Sequence, residues 1–111
     1  MSGKPETTGV LLELAKDRDG LVRVEAVDRL LYANPDDEEI FHEAISSLIG
    51  ALGASSIQGR CRAAARLALI GPRARDAIPA LRRAGNEGPD GVYFATSGAL
   101  QSIDPDSNVK E

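Results

Sequence analysis

At 111 residues and a formal charge of −4, the chain has the length of one domain with a single continuous core. Its 27% charged and 42% hydrophobic residues exclude a disordered or fibrous polypeptide. No stretch approaches the ~20 apolar residues of a membrane span. Residues 1–8 lack the apolar segment of a secretory signal, and one cysteine cannot close an internal disulfide, so a reducing cytoplasm is the expected location.

In chain order, a short disordered tip precedes a first apolar stripe of Val10, Leu11, Leu14 and Ala15, which predicts a helix over roughly 7–16. A second helix is predicted over roughly 20–33. A longer stripe of Phe41, Ile45, Leu48 and Leu52, spaced by four, three and four, places a third over roughly 37–53. Ahead of it stand Asp36, Asp37, Glu38 and Glu39, where Asp36 and Glu39 have capping-box spacing and the carboxylates suit the positive end of the helix dipole. Ser55 and Ser56 offer the same device to a fourth helix over roughly 57–70. Gly71 and Pro72 then close one helix and open the next, roughly 73–84, marked by Ala77, Ile78 and Leu81. Pro79 lies inside that pattern, where its missing N–H predicts a bend. A polar turn over 86–91 leads to the last helix, roughly 90–103, and a polar tail follows.

The helices repeat. RVEAVDRLLYANP (23–35), RCRAAARLALIGP (60–72) and YFATSGALQSIDP (93–105) each end in proline, at steps of 37 and 33 residues. Leu11, Leu48 and Leu81 align at the same steps, so both helices of each pair recur: A helices near 7–16, 37–53 and 73–84, B helices near 20–33, 57–70 and 90–103. Counted from Arg23, Arg60 and Tyr93, offsets +3, +7 and +10 carry the core face, including Ala26, Leu30, Ala63, Leu67, Ile70, Thr96, Leu100 and Ile103. Such a period marks a stack of supersecondary units, here repeats at about 7–35, 36–72 and 73–105 in one domain spanning 1–111.

The second and third units carry Arg60, Ala63, Arg66, Leu67, Ala68, Ile70, Gly71 and Pro72, then Arg73, Ala74, Ala77, Ile78, Pro79, Ala80 and Leu81. In these residues the chain resembles HEAT repeats, and the short bacterial variety first noted in phycobilisome lyases in particular. The likeness spans about residues 8–105. The first unit departs from it: its A helix lacks the proline, and Asn34 replaces the glycine before Pro35. The resemblance implies an all-α fold, a short right-handed α-solenoid of three HEAT-like helix pairs. It also implies a binding protein rather than an enzyme, with the B helices on the concave side. Fold-level likeness alone does not name the partner.

On that side, offsets +1, +5 and +9 hold Val24, Asp28 and Tyr32, then Cys61, Ala65 and Leu69, then Phe94, Gly98 and Ser102. Six of the nine are small or apolar, and exposed apolar area rimmed by charge marks a contact site. Arg62 and Arg66 form one rim; Glu25, Asp28 and Arg29 form the other. The candidate protein-binding residues are therefore Glu25, Asp28, Arg29, Tyr32, Arg62, Arg66, Leu69 and Phe94. Val24, Cys61 and Phe94 also read as core between neighbouring repeats, and self-association is a third use of the face.

Charge is unevenly spread. Residues 1–59 hold five basic against eleven acidic side chains, whereas 60–85 hold seven arginines against one aspartate. The arginines read either as solvated faces with stems over apolar surface or as donors to a carboxylate-bearing partner. Nucleic acid is disfavoured: pI is about 5.0, tryptophan is absent, and Arg73, Arg75, Arg82 and Arg83 fall on an A helix, away from the concave side where DNA-glycosylase relatives bind. His42 and Cys61 are the sole residues of their kinds, which argues against a metal cluster or a Cys–His nucleophile. The glycines at 50, 53 and 59 lack the strand a phosphate loop requires. The expectation is a non-catalytic adaptor, inhibitor or assembly factor without cofactor or metal. An immunity-type inhibitor of a toxin is its narrower form; an enzyme or bilin-lyase-type accessory and a nucleic-acid binder are the rivals.

Overall fold

A computed structural model describes residues 6–53 and 56–108. The expected disordered tip and the end of the polar tail (109–111) fall outside the described residues, as does Ser55. Those described form helices and turns, with no strand: α1 (Glu6–Leu14), α2 (Gly20–Ala33), α3 (Glu38–Ala51), α4 (Ile57–Ile70), a 3₁₀ segment (Gly71–Ala77), α5 (Ile78–Glu87) and α6 (Asp90–Ile103), then a 3₁₀ turn (Pro105–Asn108). An all-α fold is thus established.

α2, α4 and α6 occupy the expected spans; α2 and α4 begin at side-chain caps, whereas α6 begins at Pro89 without one. Asp19 accepts from the Leu21 and Val22 amides to start α2, and Asn34 closes it, its side chain donating to the Leu30 carbonyl at 2.9 Å. Ser56 accepts from Gly59 at 3.0 Å to start α4. Gly71 ends α4 at φ +79°, the only positive φ among the described residues, as a side chain would be strained there.

Three expectations need correction. The cap of α3 is Asp37, which accepts from the Ile40 amide at 3.0 Å, not Asp36; with two adjacent carboxylates, sequence spacing alone cannot choose between them. The helix expected over 73–84 is broken. Ala74 leaves helical geometry (φ −97°, ψ 21°), 3₁₀ winding occupies Gly71–Ala77, and α5 begins at Ile78. Pro79 therefore sits in the first turn of α5, where its absent N–H leaves no bond unmade, and it starts that helix instead of bending it. The turn expected over 86–91 contracts to Gly88 and Pro89, because α5 continues to Glu87 and the Pro89 carbonyl accepts from Val92 and Tyr93 as α6 begins.

α2 packs on α4 and α4 on α6, while α1 packs on α2, α3 on α2 and α4, and α5 on α6. The molecule measures 53 × 28 × 16 Å, with a radius of gyration of 14.0 Å against about 13 Å for a compact domain of this length. Its largest fully buried side chains are Leu30, Leu48, Leu67 and Leu81, surrounded by alanines such as Ala44, Ala63, Ala64, Ala77 and Ala99 that let helix axes approach closely. α2 and α4 approach closely at their starts: a Cβ on Gly59 would stand 3.0 Å from Gly20 Cα. At the two ends of the core, Leu11 and Leu100 are only partly buried, although each is the repeat counterpart of a fully buried leucine.

No buried side-chain nitrogen or oxygen lacks a partner among the described residues. Arg23 joins three elements at once: Nε donates to the Asp17 carbonyl at 2.6 Å in the α1–α2 loop, and Nη1 to the Ser47 carbonyl at 3.1 Å in α3. No helix is long and apolar enough to cross a membrane.

Leu67 is completely buried and Leu69, two residues on, is 79% exposed. Leu67→Ala should lower unfolding free energy by ~2–5 kcal/mol, through lost transfer energy plus a cavity. Leu69→Ala should change it by no more than about 0.5 kcal/mol. Urea denaturation of the pair checks the helix phase, and equal losses would contradict it.

Candidate interaction surface

The outward rows of α2 and α4 carry most of the polar and exposed apolar groups that sequence reasoning singled out. Asp28 on α2 and Arg66 on α4 form a two-pronged pair, Nε to Oδ1 at 2.7 Å and Nη2 to Oδ2 at 2.9 Å. Both side chains are about one-third exposed (32% and 39%), so water screens the pair only in part. The hydrogen bond that Arg66 donates to Asp28 raises its guanidinium above the ordinary pKa, outweighing the opposing effect of burial. The planar fork holds the two helices in one register, which a lysine at 66 would not do.

One turn beyond this pair on each helix stands a bare apolar side chain: Tyr32, 90% exposed, on α2, and Leu69, 79% exposed, on α4. They occupy the same offset in successive repeats. Beside Tyr32 lies an open groove of about 720 Å³, walled by Thr7 and Leu11 of α1, by Glu25, Asp28, Arg29, Tyr32 and Ala33 of α2, and by Arg62 of α4. Glu25 and Arg29 pair with each other along the helix at 3.2 Å, both well exposed. Arg62 makes no ion pair among the described residues and presents a free cation at the groove wall. Both charge signs therefore line an apolar trough, the combination that carboxylate-bearing and aromatic partner side chains can use.

Of the eight predicted residues, Glu25, Asp28, Arg29, Tyr32 and Arg62 are brought together at this groove, and Arg66 joins them through Asp28. Leu69 stands apart on the same side of α4. Phe94 belongs elsewhere: 70% exposed at the start of α6, it packs edge-on against Tyr93, with centroids 5.6 Å apart. Of the two readings given to offset +1, outward face or core between neighbouring helices, the burial of Val24 and Cys61 fits the second and the exposure of Phe94 the first. Val24 is 1% exposed and Cys61 half-buried, because on α2 and α4 this row turns toward the next helix in the stack and not toward solvent.

Sequence reasoning missed the outer latch. Arg73 donates to Glu38 at 2.7 Å and lies 3.9 Å above the centre of the Phe41 ring, tying the 3₁₀ segment to α3 by an ion pair and a cation–π contact. The acidic start of α3 and the arginine after Pro72 were both visible, but their separation of 35 residues hid the pairing. His42 is exposed beside Phe41, and no group of three or more His, Cys, Asp or Glu side chains placed to hold a metal ion occurs among the described residues.

A double-mutant cycle of Asp28→Ala and Arg66→Ala should give a coupling of about 1 kcal/mol, between that of an exposed ion pair and that of a buried charged hydrogen bond. Repeating the cycle at about 1 M salt, where the screening length falls to about 3 Å, should shrink it. A coupling of zero at low salt would show that the pair does not hold the helices together.

No protein family, curated protein or solved structure matches the chain, so function has to be argued from these side chains.

Proposed function

We propose that the chain is a short HEAT-like stack of three helix pairs, with α2, α4 and α6 as the B helices, that binds another protein without catalysis. Its contact surface is the outward row of α2 and α4. The observation that carries this reading is the pair Tyr32 and Leu69, large apolar side chains left almost bare at equivalent positions on adjacent helices. Folding alone gains nothing from that exposure. One turn before them the Asp28–Arg66 fork holds the two helices in fixed register, so the surface is organised before a partner arrives.

Tyrosine and arginine are the residue types that dominate interface energies, and the groove supplies Tyr32 with Arg29 and Arg62 alongside. A partner offering an apolar ridge with carboxylates at its border would complement it. Adaptor, inhibitor and assembly factor all use such a surface, and a toxin-blocking immunity protein is the narrowest version. A reducing cytoplasm suits the free, half-buried Cys61.

The test compares capture of protein partners by the wild type and by a Tyr32→Ala, Leu69→Asp double variant. Both sites are exposed, so the variant should melt within a few degrees of wild type. Loss of one central tyrosine typically costs ~2 kcal/mol or more, so the retained partner should bind at least about thirtyfold more weakly. Undiminished capture of the same partner by the folded variant would remove this surface from consideration.

A further inference from the structure

The two ends of the helix stack carry complementary unfinished interfaces. On each of α2, α4 and α6 the residues at offsets +1, +4 and +8 form one row, and those at −1, +3 and +6 another. The Gly20–Gly59 approach and the Asp28–Arg66 pair both run from α2 forward to α4, which sets the direction of the rows. In the forward row, α2 offers Val24 and Val27 and α4 offers Cys61 and Ala64, buried except for a half-buried Cys61. In α6 the same positions are Phe94, exposed, and Ser97, half-buried. The backward row differs in its outer members: Val92, Thr96 and Ala99 of α6 are all buried, whereas in α2 Ala26 is buried, Val22 is only half-buried and Arg29 is exposed.

The exposed forward row of α6 is headed by the Tyr93–Phe94 aromatic pair, 52% and 70% exposed. The unfinished backward row of α2 borders a second trough, of about 380 Å³, whose apolar lining comes from Leu11 and Leu14 of α1 and Val22 and Ala26 of α2. That volume corresponds to roughly a dozen waters at liquid density, released when aromatic side chains enter. We propose that this chain associates head to tail with a second copy, the Tyr93–Phe94 end of one protomer seating in the Leu11–Leu14–Val22 trough of the next. The joint repeats the α2–α4 and α4–α6 contacts across two molecules. It rests on the stacked-repeat reading above but uses the ends of the stack, not Tyr32 and Leu69.

One component of the internal joint is missing at this one. Arg66 finds Asp28, but Arg29 of an incoming copy would face Gly98, which stands at the repeat position of Asp28. The contact is therefore apolar and weak. Because it is heterologous it does not close into a symmetric pair, and because it repeats the open internal stacking of α2, α4 and α6 it extends as a chain.

Sedimentation of the full chain from about 10 µM to about 1 mM covers dissociation constants on the order of 10⁻⁴ M. The average mass should rise with concentration and change little with salt. Phe94→Asp blocks one end and Leu14→Arg the other, so each variant alone should stay monomeric. Their equimolar mixture should give dimers that grow no further. Gly98→Asp, supplying the missing carboxylate, should tighten association roughly two- to fivefold, and adding Arg29→Ala should cancel that gain. A wild type monomeric throughout, a blocked variant that still assembles, or a mixture that stays monomeric would overturn the proposal. Should a variant melt early, amide exchange of the unmodified protein at low and high concentration decides: protection gained at the α1–α2 trough and the start of α6 supports it, and protection gained elsewhere overturns it. Phe94 and Leu14 lie outside the groove beside Tyr32, so assembly lost in Phe94→Asp or Leu14→Arg with partner capture intact separates this joint from the proposed partner surface.

Discussion

Each of the three successively packed helices α2, α4 and α6 must bury side chains toward the helix before it or the helix after it, or both. Only α4 has a neighbour on both sides, and its residues show it: Gly59, Ala63, Ala64 and Leu67 are all buried. Their small size is what lets α2 and α6 approach from either side. The rest of the molecule follows from this requirement, since α3, the 3₁₀ segment and α5 cover what remains of the core, and among the described residues Arg29 of α2 and Phe94 of α6 stay exposed at the outer sides.

The lopsided charge of the sequence acquires a structural meaning from the same arrangement. Two bridges, Asp28 to Arg66 and Glu38 to Arg73, each join a carboxylate from the acidic first half to an arginine from the basic middle, 38 and 35 residues apart, about one repeat. Charge that looked like a signal for an external partner is thus partly spent on registering one unit against the next. Arg62, Arg75, Arg82 and Arg83 are left without ion pairs among the described residues, and of these only Arg62 borders the groove beside Tyr32.

How much was legible in the sequence depended on whether a feature was local. The spans of α2, α4 and α6 could be read directly, because the repeated thirteen-residue runs carry apolar periodicity and a clear stop in the same window. Leu30, Leu67 and Ile103 were identified as core for that reason. The outer helices were harder: consecutive Asp36 and Asp37 made the cap of α3 degenerate, and a proline in the first turn of a helix leaves much the same local pattern as one in its middle. What the sequence left open was which residues of a shared offset are core between neighbouring helices and which are exposed. Val24, Cys61 and Phe94 share an offset, yet one is buried, one half-buried and one bare, and their environments differ only because the stack continues past the first two and stops at the third.

That asymmetry also distinguishes the two internal joints. Between α2 and α4 the contact includes a charged fork, Asp28 with Arg66; between α4 and α6 the corresponding residues are Ala65 and Ala99, and the joint is apolar. A charged pair constrains register at some cost in desolvation, whereas an apolar seam gains from every buried methyl group. The register of α2 and α4 therefore matters more, and these are the helices that carry Tyr32 and Leu69. A surface made from two helices can present a fixed shape only if those helices do not slip, and the fork sits one turn from the exposed side chains whose spacing it governs.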